Sequence, residues 1–211
     1  MIAGHPGTVL AVMVPKAEDP ALLEALKLHL PADTGVIPLI ETAAGVVRAS
    51  DVCAMTGVVR PLFGSRDLAA QLGADHQIRD ALRHARSALV LAAAASRCAA
   101  PIDGVTTSLT DDSQLRVDLD HAVTLGFTGK LCIHPCQVAI ANQRLSPSDA
   151  GLRWARDVIA AAQDGSVTVY DGHMIDPPVV LRARAIISRA HPTDSAHTPP
   201  IEGQAPDPHI K

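Results

Sequence analysis

Aromatic side chains are nearly absent from this chain of 211 residues: Phe63, Phe127, Trp154 and Tyr170 are the full set. That scarcity excludes the stacking platforms on which single-stranded nucleic acids are held. Excess positive charge is missing too. Lys and Arg number 18 against 22 Asp and Glu, a formal net charge of −4, and a basic nucleic-acid footprint is excluded with it. No run reaches the roughly 18 uninterrupted apolar residues of a membrane helix; the longest, over residues 88–95, is short and rich in Ala. The start, MIAGHPGTV, lacks the charged and apolar regions of a secretory signal. Cysteine is confined to Cys53, Cys98, Cys132 and Cys136. Without a secretory signal these are expected to be reduced thiols of a cytoplasmic protein. Neither a nucleic-acid nor a membrane partner is expected.

Five short apolar runs each end on one chemically capable residue, and a helix-like segment follows each. They are TVLAVMVPK ending at Lys16, VIPLIE at Glu41, RPLFGSRD at Asp67, AAPID at Asp103 and GKLCIHP at His134. Runs of this length bounded by turn residues read as buried parallel strands. Strands alternating with amphipathic helices imply βαβ units, whose chemistry collects at the carboxyl ends of the strands. The fold class is therefore α/β with about five βα units. Five strands suit either part of a barrel or an open doubly wound sheet, and periodicity alone does not choose.

Cap residues place the helices. Asp19-Pro20 opens one that runs to about Leu30. The segment TAAGVVRASDVCAM reads as a second, whose Gly45 would let backbone approach a ligand closely. A long third has HQIRDALRHARSALVLAAAASRCA as its body, with Leu82, Ala85 and Leu89 on one face. A fourth, SLTDDSQLRVDLDHAVTLG, stops at Gly126. A fifth starts with Ser146 as N-cap and Pro147 at its first position, and the last spans residues 177–190. Residues 1–190 are expected to form one domain, and 191–211, rich in Pro and polar residues, a disordered tail.

Glu41 and Asp67 are the sharpest pair. Each is an acid closing an apolar run, where an unpaired charge is costly. Two such carboxylates offer hard oxygen ligands of the kind Mg²⁺ takes alongside water and substrate oxygens. Each alone is equally readable as a helix cap. Gly64 permits close backbone approach to a small anion. Lys16 is readable as a carboxylate binder, a Schiff-base former or a solvated lysine, and Asp103 as a substrate binder or a holder of another side chain. Cys132, His134 and Cys136 in CIHPC lack the second ligand pair of a structural zinc site. His134 is therefore taken as a rim histidine with packed thiols beside it.

Taken together, MVPKAED, PLIETAAGV, FGSRDLAAQLG, APIDGV, GFTGKLCIHPCQV and YDGHMIDPPVVLRA resemble the citrate lyase beta-subunit-like family of CoA-ester lyases, related to malyl-CoA lyases and 2-oxo-acid aldolases. The resemblance runs from about Val9 to Ala190. It implies a (β/α)₈ TIM barrel, here as an N-terminally truncated barrel with about five βα units, and a homo-oligomer, trimer or hexamer. It implies that Glu41 and Asp67 hold Mg²⁺ (Mn²⁺ is the alternative) and contact substrate. Backbone amides around Gly64 and Ser65 would hold the substrate carboxylate. Asp176 would be a catalytic residue on a lid that reaches a neighbouring subunit's site; locally it also reads as a helix cap before Pro177. The implied activity is Mg²⁺-dependent carbon–carbon cleavage or formation on CoA thioesters of small hydroxy acids, with a 2-oxo acid and an acyl-CoA as the other partners. Three strands of the family pattern, with their arginines, have no counterpart. That leaves two other readings: an impaired remnant acting as an interaction protein, and a CoA-independent 2-oxo-acid aldolase.

Overall fold

A computed structural model describes residues 9–162 and 168–190. The tail expected over 191–211 lies outside the described residues. The chain divides after Leu145 into two compact units.

The first unit is built on five parallel strands: β1 (Ala11–Val14), β2 (Gly35–Ile40), β3 (Leu62–Phe63), β4 (Ile102–Asp103) and β5 (Gly129–Lys130). They lie side by side in chain order. A doubly wound sheet reverses direction at a switch point; monotonic order with every neighbour parallel is the winding of a barrel wall. The register pairs Ala11 with Gly35, Ile40 with Phe63, Leu62 with Ile102, and Asp103 with Lys130. Ile40, Phe63, Asp103 and Lys130 therefore form one layer across four strands. Successive residues of a strand face opposite ways, so Glu41 and Gly64, one step further on, belong to the other face.

Between strands run α1 (Pro20–Lys27), α2 (Ala43–Val47), α3 (Ala49–Cys53), α4 (Ser65–Leu72), α5 (Arg83–Ala95), α6 (Asp112–Leu125) and α7 (Cys136–Leu145), with a 3₁₀ turn over Arg79–Leu82. Asp19 caps α1 by accepting from the Ala21 N–H, and Gly126, at φ 101°, ends α6, both as expected. The helix expected from TAAGVVRASDVCAM is two short helices, because Arg48 sits between them at φ −96°, ψ 12°. Gly45 is a buried residue of the first. A Cβ there would lie 3.1 Å from the Ala17 carbonyl oxygen, so the close approach it allows is to its own chain.

The core packs Val36, Ile40 and Phe63 of the sheet against Leu68, Leu82, Leu89 and Ala92 of the helices. Phe63 and Phe127 meet edge to face with centroids 6.5 Å apart. Each fully buried side chain of this size contributes about 1.5–3 kcal/mol.

The second unit holds α8 (Asp149–Ala161), an antiparallel hairpin of β6 (Thr168–Tyr170) and β7 (His173–Ile175), and α9 (Pro177–Ile187). Its core is Ala155, Val158, Ile175 and Ala183. Ser148, not Ser146, caps α8, accepting from the Gly151 N–H at 3.1 Å. Pro147 biases Ser146 toward extended backbone, and the first orphan amides fall within reach of the next hydroxyl. The hairpin turns on Asp171 and Gly172, at φ 50° and 75°, the Asp-Gly pair that tight turns of this hand prefer.

Candidate active site at the strand ends

Glu41 immediately follows β2 and is buried, 7% exposed. Its Oε1 accepts the backbone N–H of Lys16 at 2.9 Å. Lys16 closes the turn after β1 at φ 48°, a conformation uncommon outside glycine. Its ammonium side chain is exposed; the backbone amide is what reaches the site. Among the described residues no Lys, Arg or His side chain forms an ion pair with Glu41.

Gly64 lies against this carboxylate. A Cβ on Gly64 would stand 2.3 Å from Glu41 Cβ and 3.1 Å from its Oε2, so only glycine fits. Ser65 is buried and begins α4. Asp67 was expected to end a strand. Pairing in β3 stops at Phe63, Gly64 becomes the N-cap of α4, and Asp67 lies exposed in the first turn of that helix. An acid there suits the helix dipole. Among the described residues no side chain caps α4, so its first amides remain available.

His134 is likewise off the strand end. β5 stops at Lys130, and His134 is exposed three residues beyond Leu131, the last residue to bond back to β4, through the Asp103 carbonyl. Its Nδ1 lies 3.0 Å from Cys136 Sγ and accepts the Cys136 N–H at 3.3 Å. Cys132 makes a weak contact to the Lys130 carbonyl at 3.9 Å. No group of three metal-ligating side chains occurs among the described residues, so CIHPC does not assemble a zinc centre there.

Asp103 is buried at the end of β4 and holds two side chains. Its Oδ1 accepts from Arg86 Nε at 3.1 Å and its Oδ2 from Lys130 Nζ at 2.9 Å. The Arg86 guanidinium also lies 4.7 Å over the Phe63 ring. Neither Arg86 nor Lys130 was picked out from sequence. Arg86 carried a signal, a charge within the apolar face of α5 between Leu82 and Leu89. Lys130 is the polar residue that actually ends β5.

Asp176 belongs to the second unit. It caps α9, its Oδ1 accepting the Val179 N–H at 3.1 Å.

With this geometry in view, the chain can be set beside known proteins. The sequence model of HpcH/HpaI aldolase/citrate lyase matches residues 7–135. The chain belongs to that family. It is 37% identical over 186 residues to a citrate lyase subunit beta-like protein of Mycobacterium tuberculosis, covering 85% of this chain and 66% of the relative. It is 32% identical over 206 residues to a mitochondrial citramalyl-CoA lyase of Rattus norvegicus, covering 85% of this chain and 60% of that enzyme. In solved structures it resembles CitE of M. tuberculosis in complex with magnesium, acetoacetate and coenzyme A, with a TM-score of 0.71 and 34% identity over 86% of this chain and 68% of that one. The chain thus spans a little under two thirds of the curated relatives it matches. The α/β fold with a parallel sheet is that of the citrate lyase beta-subunit structures. No described helix is long and apolar enough to cross a membrane.

Proposed function

We propose that this chain is a cytoplasmic carbon–carbon lyase of CoA thioesters of small hydroxy acids, with Glu41 and Asp67 holding Mg²⁺ or Mn²⁺. The observation that carries it is the buried Glu41 carboxylate, which among the described residues has one backbone donor and no cationic side chain paired with it. A buried carboxylate in that state is costly, and a divalent cation is the partner its hard oxygens suit. Asp67, three residues after the glycine that abuts Glu41, supplies a second hard ligand. The CitE structure with magnesium supports the reading. When bound, the ion would supply Lewis-acid stabilisation of developing negative charge.

The chain's own groups divide the rest. The Gly64 N–H, expected to bind the substrate carboxylate with Ser65, is taken by the Ile40 carbonyl at 2.8 Å, so that role falls to the uncapped first amides of α4, at Ser65 and Arg66, as preorganised donors. The bond between the hydroxyl-bearing carbon and the carbon next to the thioester breaks. The hydroxyl carbon leaves as the carbonyl of a 2-oxo acid, and its O–H proton is lost. The electron pair stays on the thioester α-carbon, which takes up a proton to give the acyl-CoA. Asp176 of a neighbouring copy is the proposed carrier of that proton, which requires a homo-oligomer.

The test is oxo-acid release from malyl-CoA and citramalyl-CoA with and without Mg²⁺, together with Mg²⁺-dependent oxaloacetate binding. Glu41→Gln is expected to lose both; unchanged binding in that variant would overturn the metal assignment. Turnover of a 2-oxo-acid aldol lacking CoA would instead identify a CoA-independent aldolase.

A second reading, association without catalysis, draws on β1 and the residue before it, where Met13 and Leu10 are 51% and 86% exposed. Mg²⁺-dependent turnover by this chain would exclude it.

A further inference from the structure

Three buried side-chain nitrogens lack a hydrogen-bond partner among the described residues: Arg79 Nε, Arg86 Nη1 and His121 Nε2. All three residues line one cavity of about 250 Å³ in the first unit. The cavity shares Ser65 with the neighbourhood of Glu41 but includes neither Glu41, Gly64 nor Asp67. The Arg86 side chain is 9% exposed and that of Lys130, also in the lining, 2%.

The buried charges are unevenly matched. Among the described residues Asp103 is the one carboxylate paired with both Arg86 and Lys130, Arg79 pairs with Asp118, and the acid that brings the formal sum to zero, Asp111, is exposed at the rim. The other nearby acids are engaged. Asp118 accepts from Thr106 Oγ1 at 2.7 Å, Gln114 Nε2 at 2.8 Å and Arg79 Nη2 at 3.5 Å. Asp111, exposed at the rim, caps α6 through the Ser113 N–H and hydroxyl, both at 2.8 Å. An apolar ligand would leave the three nitrogens unsatisfied and a cation would be repelled. Water would satisfy donors but would leave the buried Arg86 and Lys130 with one carboxylate between them. Each feature is met by an oxyanion, which arginine donors bind with paired hydrogen bonds.

We propose that this cavity is a binding site for a phosphate-type oxyanion, free or as a phosphate monoester, held by Arg86 Nη1, Arg79 Nε and the Nε2–H tautomer of His121 over the positive field of Lys130. The burial of His121 and the nearness of Arg86, Arg83 and Arg79 lower its pKa, opposed by Asp103; a ring protonated on Nε2 donates to the oxyanion from that nitrogen.

The experiment is calorimetric and ³¹P NMR titration of the full chain with inorganic phosphate and with ethyl phosphate. It uses EDTA-containing buffer at constant ionic strength. Saturable one-to-one binding is expected, weakened at least about tenfold in Arg86→Met and in Arg79→Met, the loss expected for a hydrogen bond to a charged group. Arg79 is one-third exposed, so its variant decides the matter should Arg86→Met fail to fold. Comparable binding of ethyl phosphate assigns the pocket to a phosphate ester, and a strong preference for inorganic phosphate to the free ion; both support it. Glu41→Gln should bind phosphate like wild type. Absence of saturable binding, wild-type affinity in Arg79→Met, or loss in Glu41→Gln would each overturn the assignment.

Discussion

The backbone N–H of Lys16 donates to Oε1 of Glu41 at 2.9 Å, so a turn after the first strand sets a carboxylate at the end of the second. The lysine side chain is exposed and forms no ion pair among the described residues. Lys16→Ala should therefore keep divalent-cation affinity within about twofold. Lys16→Pro removes the donor and cannot adopt φ 48°; loss of a hydrogen bond to a charged group, about 1.5–3 kcal/mol, should weaken cation binding at least tenfold. Water-proton relaxation with Mn²⁺ as the probe would measure both. Equal loss in the alanine variant would mean that the ammonium, not the amide, acts.

Gly64→Ala should damage the same site from the opposite side. The new methyl would meet Glu41 Cβ at 2.3 Å, and either the carboxylate or the turn into α4 must move. Overpacking of this kind costs about 1–3 kcal/mol. A lower urea midpoint together with weaker cation binding is expected; a variant with both unchanged would show that Glu41 does not rest against this glycine.

How much of this was legible in advance differs residue by residue. Glu41 announced itself as an acid closing a run of five apolar residues, VIPLI, because burial of a strand leaves little else for such a residue to do. Asp19-Pro20 and Gly126 did so because caps are local chemistry. The two-residue strands β3 and β5 were less readable. Their apolar runs continue past the paired residues into a helix start and a loop, so Asp67 and His134 were placed at strand ends they do not occupy. Arg86 and Lys130 depend on register between β4 and β5 and on the face α5 presents, which only the assembled sheet determines. The role of Lys16 lies in its amide, which a reading of side chains passes over. The Asp171-Gly172 turn was signalled by its dipeptide and flanking residues, but the segment was too short for alternation to stand out.

Among the described residues Asp103 is the single acid bonded to both Arg86 and Lys130. Asp103→Asn should cost about 3–5 kcal/mol, the penalty for removing one member of a buried ionic group. Adding Lys130→Met should return part of that loss, because one stranded charge goes with it. Urea unfolding of the two single variants and the double variant supplies the coupling energy; strict additivity would contradict a shared network.

Burial pushes the Cys53 thiol up to about 12 from 9.0, and Cys98 adds to the effect. Above pH 9 the unfolded chain releases this proton while the folded chain keeps it. Protons are then bound more by the native state, so stability falls as pH rises from about 9 toward 12. Cys136 is exposed. At pH 8 a thiol reagent should modify Cys136 first and leave Cys53 untouched until denaturant is added. Rapid labelling of Cys53 in the folded chain would show that its burial is not maintained.

Asp176 has a structural task that is measurable and a catalytic one that is proposed, and one substitution separates them. Its Oδ1 caps α9 by accepting the Val179 N–H. Asn serves at an N-cap about as well as Asp, whereas Ala there costs about 1 kcal/mol. Asp176→Asn should thus unfold like wild type, and Asp176→Ala at a lower urea midpoint. An amide cannot carry a proton to the thioester α-carbon as a carboxylate can. If Asp176 has that role, Asp176→Asn should lose about 10²–10⁴-fold in kcat, with KM for the CoA thioester little changed. Full activity in Asp176→Asn beside reduced stability in Asp176→Ala would confine this residue to capping its helix.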